Sequence, residues 1–134
     1  LAALISFSTG SSWGTMAILY PLMLPATWLL CQQSGFETGQ SMPIFYNVIS
    51  VVLAGSVFGD HCSPISDTTI LSSLATNCNH VDHVRTQLPY AITVAVVSLL
   101  VCAVFVNMGI PWYFNYLLGF VILFLIVKYL GRSL

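Results

Sequence analysis

The chain has 134 residues, of which 57% are hydrophobic and only 5% are charged, with a formal net charge of −1 and a mean hydropathy of +0.92. Soluble domains carry about a quarter charged residues, so this composition excludes an ordinary soluble domain and predicts an integral membrane protein. The sequence contains neither a basic run nor a phosphate-binding loop, which excludes nucleic acid as a partner.

The four cysteines lie far apart without a C-x-x-C spacing, so we expect no disulfide framework. The chain begins inside an apolar stretch, without the basic region and cleavage site of a signal peptide. We therefore interpret residues 1–134 as a single transmembrane domain and as the C-terminal part of a longer protein.

The first predicted element covers residues 1–31 and contains a turn rich in hydroxyl groups and glycine at residues 8–15. The apolar run behind this turn is interrupted by Pro21 and Pro25. Two structures fit the pattern, a spanning helix or a re-entrant hairpin whose tip is the turn. We favour the hairpin, because two prolines four residues apart disturb a regular helix and glycine frees the backbone at the tip.

The second predicted element is an interrupted helix over residues 42–77, after a polar connector that is expected to be a solvated loop. We expect its apolar first half to end at Gly59, in the usual manner of a C-terminal glycine. The polar stretch of residues 59–69 then breaks the helix. The second half begins at Ser63 or at Ser66, since either serine can cap a helix N-terminus.

Residues 78–87 are predicted to be a polar loop outside the membrane, and two regular transmembrane helices follow at residues 88–106 and 112–130, joined by a tight turn. The fold class is therefore all-α and polytopic: a re-entrant hairpin, a discontinuous helix and two regular spans.

The three basic residues, Arg85, Lys128 and Arg132, fall on one side of this arrangement. The positive-inside rule makes that side cytoplasmic, together with the loop at residues 78–87 and the C-terminus. We expect a multi-pass protein of the cytoplasmic membrane.

The break in the second element offers chemistry that a continuous helix does not. Unpaired carbonyls near residues 57–59 would attract a cation, and unpaired N–H groups near residues 65–68 would attract an anion. Secondary transporters use such discontinuous helices at their binding sites. Asp60 and Asp67 lie seven residues apart across the break and can converge on one site.

A carboxylate that loses water tends to take up a proton, whereas a bound cation favours its charged form. The break also supplies hydroxyl and carbonyl oxygens, which suit a sodium ion. We therefore expect sodium at Asp60 and Asp67, in competition with protons, which is the minimum mechanism for exchange of the two ions.

Other interpretations of the same residues remain open. Asp60 and Asp67 could simply cap helix ends, and Asn47 could be either an ion ligand or a contact between helices. Two loose groups resemble transition-metal ligands. They are Asp60, His61 and Cys62 in the break, and Cys78, His80 and His83 in the predicted loop.

Two stretches, Phe7-Ser-Thr-Gly-Ser-Ser-Trp-Gly-Thr15 and Gly59-Asp-His-Cys-Ser-Pro-Ile-Ser-Asp-Thr-Thr69, resemble the most recognisable motifs of the NhaC-type sodium/proton antiporter family. The resemblance implies a fold of two inverted repeats, each with a re-entrant hairpin and an unwound helix, of which this chain would be the second. It implies sodium efflux coupled to proton entry, with some family members exchanging organic acids such as malate and lactate.

By the same resemblance, the ion site would contain residues from both stretches. We add the hydroxyl of Ser66 and the amide of Asn47 to this set as candidate ligands. The candidate ligands are Asp60, Asp67, Ser63, Ser66, Thr68 and Thr69 at the break, Thr9, Ser11, Ser12 and Thr15 at the hairpin turn, and Asn47.

The sequence thus predicts a secondary transporter that exchanges sodium for protons, not an enzyme, with no cofactor. Its expected partners are sodium, protons, the lipid bilayer and the missing N-terminal repeat of the same transporter. A sodium-coupled exchanger of organic acids or amines is the alternative in the same class. A noncatalytic membrane subunit and an intramembrane metal enzyme are the alternatives from other classes.

Overall fold

A computed structural model describes residues 1–107 and 112–130, and over these residues the chain is built of α-helices joined by short connections. The all-α prediction is therefore confirmed. The helices are α1 (Ala2–Thr9), α2 (Ser12–Gln33), α3 (Thr38–Cys62), α4 (Asp67–Ala75), α5 (His80–Asn107) and α6 (Trp112–Leu130). The chain divides into two compact units, residues 1–87 and 88–134, and the candidate site lies in the first.

Among the described residues, three helical segments are long and apolar enough to cross a membrane: Ser12–Gln33, Thr38–Cys62 and His80–Cys102. Most of their large apolar side chains are exposed, as expected for helices that meet lipid rather than a water-excluding protein core. Of the two predicted regular spans, the first falls in the α5 segment His80–Cys102, whereas the described part of the second, Tyr113–Tyr129 of α6, is a shorter apolar helix.

Helix α1 lies parallel to α3, and small residues allow their backbones to approach closely. The backbone carbonyl of Ala3 lies against Gly59 so closely that a Cβ atom there would clash with it. One turn further along both helices, Ser63 Oγ donates a hydrogen bond to the Phe7 carbonyl at 2.8 Å. With Gly55 one turn earlier, Gly59 forms the small-residue spacing that membrane helices use for such contacts.

The expectation that Gly59 ends the helix is wrong, because α3 continues to Cys62. The glycine serves the contact with α1 instead. The carbonyls of residues 57–59 are therefore not the free end of the helix, which lies about one turn further along the chain.

Helix α2 lies antiparallel to α3. Ser12, at its start, contacts Asp60 near the end of α3, whereas the Tyr20 hydroxyl donates to the carbonyl of Ile49, farther back on α3, at 3.2 Å. Because α1 is parallel and α2 antiparallel to the same helix, the chain reverses direction between them.

The reversal occurs at Gly10 and Ser11, within the predicted hydroxyl-rich turn. Gly10 has a φ of 66°, in the left-handed region that favours glycine, and a Cβ atom there would lie 2.7 Å from the Ile65 carbonyl oxygen. Ser11 caps α2, since its Oγ accepts a hydrogen bond from the backbone N–H of Gly14 at 3.1 Å. The reversal lies inside the predicted stretch of residues 8–15 but is narrower, because residues 8–9 belong to α1 and residues 12–15 to α2.

The expectation that Pro21 and Pro25 disturb the following segment is wrong, because both lie inside the continuous helix α2. A proline removes one backbone N–H and crowds the carbonyl four residues earlier. Helices that cross membranes tolerate this, because side chains and local adjustments satisfy the freed carbonyls.

The predicted interruption is confirmed, with shifted ends. The break covers residues 63–66, and α4 extends from Asp67 to Ala75 rather than to residue 77. Ser66 is the N-cap residue of α4, with extended backbone at φ −68° and ψ 135°. Of the two caps that the sequence allowed, the structure uses Ser66. The first half begins at Thr38, before the predicted residue 42.

The predicted loop at residues 78–87 is wrong for most of its length, because α5 begins at His80. Asn79 starts this helix: its side-chain Oδ1 accepts from the Val81 N–H at 3.0 Å, and its carbonyl accepts from the His83 N–H at 2.9 Å. The predicted spans at 88–106 and 112–130 lie within α5 and α6. The predicted turn between them began at Asn107, which is the last residue of α5. The rest of it, residues 108–111, lies outside the described residues, as does Arg132.

Candidate functional site

The carboxylate of Asp60 joins the two breaks of the chain. Its Oδ2 accepts a hydrogen bond from Ser12 Oγ at 2.9 Å, and its Oδ1 accepts one from Ser66 Oγ at 2.6 Å. Ser12 opens α2 directly after the turn at Gly10, and Ser66 closes the break before α4. Two discontinuities far apart in sequence thus meet at one half-buried acidic group.

Ser66 is the buried centre of a short hydroxyl chain. Its Oγ lies 2.8 Å from Thr68 Oγ1. Because Ser66 has a single hydroxyl proton and Asp60 can only accept in its charged form, Thr68 must donate to Ser66. The chain therefore runs from Thr68 through Ser66 to Asp60, and it leaves lone pairs on both hydroxyl oxygens for a cation.

Other hydroxyl groups, at the turn between α1 and α2 and in the break after α3, serve the backbone around this carboxylate. Thr15 is completely buried, donates to the Ser11 carbonyl at 2.9 Å and lies 3.4 Å from Thr9 Oγ1. Ser63, also completely buried, ties the break to α1 and accepts from the Ile65 N–H at 3.3 Å. These residues hold the two breaks together through bonds to the backbone and to one another.

Three candidates make no side-chain hydrogen bond to this hydroxyl chain within the part of the protein that the structure describes. Asp67 is exposed in the first turn of α4, and Thr69 is buried on the same helix. Asn47 is exposed on α3, thirteen residues before Asp60, which corresponds to about 20 Å along a helix axis. The structure therefore brings Ser12 and Ser66 onto Asp60, and Thr68 onto Ser66.

The sequence prediction missed two buried serines. Ser6 Oγ donates to the Ser56 carbonyl at 2.6 Å, which joins α1 to α3. Ser56 Oγ is fully buried and has no hydrogen-bond partner among the residues that the structure describes. Ser56 lies four residues before Asp60 and hence on the same face of α3. This four-residue spacing could have indicated from the sequence that Ser56 and Asp60 share one face of the helix.

Two further residues that reach the break come from the segment interpreted as a loop. His80 places Nε2 2.6 Å from the Pro64 carbonyl oxygen and Nδ1 3.1 Å from Ser73 Oγ. The Gln87 side-chain amide donates to the His61 carbonyl at 2.8 Å, at the end of α3. Carbonyls on both sides of Ser63 are thus held by the start of α5.

The two metal-like groups do not assemble. Within residues 1–107 and 112–130, no three histidine, cysteine, aspartate or glutamate side chains come together as metal ligands. In the break, Asp60 contacts serines, His61 lies against Gln87, and Cys62 is buried.

A family model described as the Na+/H+ antiporter family matches residues 1–108, which include both breaks and the Asp60 site. The chain belongs to the Na+/H+ antiporter family.

Three relatives of this chain match 71% to 78% of it. An uncharacterized protein of Haemophilus influenzae is 48% identical over 95 residues. The arginine/ornithine antiporter ArcD of Halobacterium salinarum is 36% identical over 108 residues. The malate-2H(+)/Na(+)-lactate antiporter of Bacillus subtilis is 30% identical over 104 residues.

The chain spans 16% to 20% of the length of these relatives. No solved structure matches it significantly.

Proposed function

We propose that this chain forms part of a secondary transporter that exchanges sodium for protons across the cytoplasmic membrane. The observation that supports the proposal most directly is the Asp60 carboxylate, whose two oxygens accept hydroxyl hydrogen bonds from two separate breaks. Sodium requires hard oxygen ligands, and Asp60, Ser12 and Ser66 offer them together. Oxygen-rich discontinuities of this kind hold the coupling ions of secondary transporters.

In the proposed exchange, one carboxylate alternates between two occupants. When a sodium ion binds, it neutralises Asp60 and uses lone pairs of Ser12 and Ser66, whose hydroxyl groups still donate hydrogen bonds to the carboxylate. When sodium leaves, a proton from the opposite phase binds one Asp60 oxygen and keeps the half-buried group neutral. Since both ions need the same oxygens, binding of one displaces the other.

The charges around the site favour a cation as cargo. Asp67 adds a second carboxylate at the start of α4, and we propose that it joins Asp60 in attracting sodium. No lysine or arginine lies within residues 1–84 to balance the two acids. An anion at the N-terminus of α4 would meet the Asp67 carboxylate, which opposes the attraction of the helix dipole.

A second candidate function is sodium-coupled exchange of an organic acid or amine. Two relatives support it, because one is named an arginine/ornithine antiporter and the other a malate/lactate antiporter. Of these two cargo types, the cationic amines suit the acidic pair Asp60 and Asp67 better than the carboxylic acids do.

We further propose that the remainder of a longer transporter completes the cavity, since the chain spans only 16% to 20% of its relatives. In this proposal, α1 and α2 form a re-entrant hairpin, the chain is the second of two inverted repeats, and the missing N-terminal repeat faces Asp60. The reversal of chain direction at Gly10 and Ser11, between α1 and α2, supports the hairpin. The NhaC-type branch of the family is the proposed subgroup.

The test is sodium-driven proton movement in proteoliposomes that contain the full-length transporter. We expect Asp60→Asn to abolish the sodium-dependent change of internal pH and Asp67→Asn to weaken it. Asp82→Asn, on α5 away from the hydroxyl chain, is the matched acidic control and should retain exchange. Sodium-dependent proton movement that survives in Asp60→Asn at the rate of the control would refute the proposal.

Organic cargo is tested in the same vesicles by adding arginine, ornithine, malate or lactate on one side. Sodium/proton exchange alone predicts no effect of these compounds. Stimulation by an amine or an acid that depends on Asp60 would favour the second candidate function.

A further inference from the structure

The start of α5 reaches over the break with two side chains. His80 contacts the Pro64 carbonyl inside the break, and Gln87 contacts the His61 carbonyl at the end of α3. Positions 80 and 87 are seven residues apart, so they share one face of the helix two turns apart. This face of α5 holds the end of α3 and the Pro64 carbonyl inside the break, and His80 also contacts α4 through Ser73.

The contacts of His80 fix where its protons are. The Pro64 carbonyl can only accept, so Nε2 must carry a proton. On the other side, Ser73 Oγ lies 3.1 Å from Nδ1 and 2.8 Å from the Ile70 carbonyl, to which it donates its single proton. With that proton committed to Ile70, Nδ1 must also donate. All three contacts are satisfied together only when His80 carries two protons and a positive charge.

A neutral His80 loses one of these contacts. Ser73 must then turn its proton from the Ile70 carbonyl to Nδ1, or two lone pairs face each other across 3.1 Å. The bond to Pro64 also loses the strength that a charged donor supplies. Histidine is the side chain that changes charge between about pH 5 and pH 8, so this difference falls in the working range of a proton-coupled transporter.

The hydrogen-bond partners of His80 are neutral. The other aspartate, histidine and arginine side chains on α3, α4 and α5 are Asp60 and His61 on α3, Asp67 on α4, and Asp82, His83 and Arg85 on α5. Asp67 lies at the opposite end of α4 from Ser73, about 9 Å along the axis. Asp82, two positions along α5, does not share the face of His80, whereas His83 at three positions does.

We propose that His80 is a positioning residue for the exchange site and that its protonation tightens the hold of α5 on the break. Pro64 stands between Ser63, which binds α1, and Ser66, which donates to Asp60. A firm bond to the Pro64 carbonyl therefore keeps the Ser66 hydroxyl on the carboxylate. The effect of His80 on transport rests on the proposed function, whereas its contact with the Pro64 carbonyl in the break does not.

The first experiment measures the break without transport. Cys62 is buried and directly precedes the break, and the rate of its alkylation by N-ethylmaleimide reports opening once the other three cysteines are replaced by serine. At about pH 5.5, we expect His80→Ala to raise this rate roughly tenfold, as loss of one charge-assisted hydrogen bond predicts. Comparing variants at the same pH cancels the pH dependence of the thiol itself.

His80→Gln separates charge from shape, because glutamine can donate to Pro64 but stays neutral. We expect Cys62 in His80→Gln to be alkylated at the wild-type rate at about pH 8 and several-fold faster than in the wild type at about pH 5.5. The control variant His83→Gln should show the wild-type rate at both pH values. Equal alkylation in His80→Ala and wild type at both pH values would overturn the hold on the break. If the ratio of the Cys62 alkylation rates of His80→Gln and wild type is the same at both pH values, the role of the His80 charge is overturned.

The second experiment measures transport by the full-length protein. His80→Gln should raise the KM for sodium several-fold at about pH 5.5 with kcat retained, and this increase should vanish at about pH 8. An unchanged KM in acid would overturn the link to the exchange site. If the proposed function itself is wrong, exchange will survive in Asp60→Asn. That outcome would not change the alkylation result.

Discussion

At the scale of single residues, few groups surround the Asp60 carboxylate. Each oxygen has one serine donor, and the two serines come from different elements. Hydroxyl groups suit this position because they donate to a charged carboxylate and still offer lone pairs to a cation. Replacing one serine should therefore weaken sodium binding without removing the acid that carries the proton.

Ser66→Ala tests this arrangement. It removes the donor to Asp60 Oδ1 and leaves Thr68 without its partner. Hydrogen bonds to charged groups contribute about 1.5–3 kcal/mol, so the KM for sodium should rise roughly tenfold or more. Ser72→Ala, an exposed serine on the same helix, is the matched control. Equal sodium dependence of exchange in the two variants would contradict the role given to Ser66.

At the scale of elements, both breaks could be predicted because polar residues and glycines inside apolar segments are costly in a membrane unless protein or a wet cavity surrounds them. The ends of the helices could not be predicted in the same way. The local sequence around Gly59 fits either a helix end or a close contact with a neighbouring backbone. Only the contact with Ala3, which the structure shows, decides between these two roles. The start of α5 was missed because its polar side chains resembled a solvated loop, and their partners Pro64 and His61 lie 16 and 26 residues away in sequence.

Gly59→Ala tests the packing of α1 on α3. Its methyl group would meet the Ala3 backbone, which cannot move aside as a flexible side chain could. We expect a loss of about 1–3 kcal/mol in the free energy of unfolding, as for other overpacked contacts. It is measured as a lower midpoint of thermal unfolding in detergent.

The control for this variant lies on the same helix. A Cβ atom at Gly39 has open space around it, and alanine is the better helix former by up to about 1 kcal/mol. Gly39→Ala should therefore unfold at or above the wild-type midpoint. The same midpoint for Gly59→Ala and Gly39→Ala would mean that α1 does not pack closely on α3.

At the scale of the whole molecule, the orientation in the membrane remains a prediction from Arg85, Lys128 and Arg132. It places the α4–α5 connection in the cytoplasm, together with exposed Cys78. In single-cysteine variants of the full-length protein, a membrane-impermeant maleimide should label Cys78 in inside-out vesicles only. Cys102, exposed on apolar α5, should react from neither side because lipid covers it. Labelling of Cys78 from the outer side would reverse the orientation.

The central claim is that sodium and a proton compete for the Asp60 carboxylate, and proton release on sodium binding tests it most directly. Sodium chloride is added to the purified full-length transporter in weakly buffered detergent solution, and the pH change is followed with choline chloride as the salt control. We predict that the wild type and Asp82→Asn release protons and that Asp60→Asn releases none. Release from Asp60→Asn equal to that of the wild type would contradict the claim.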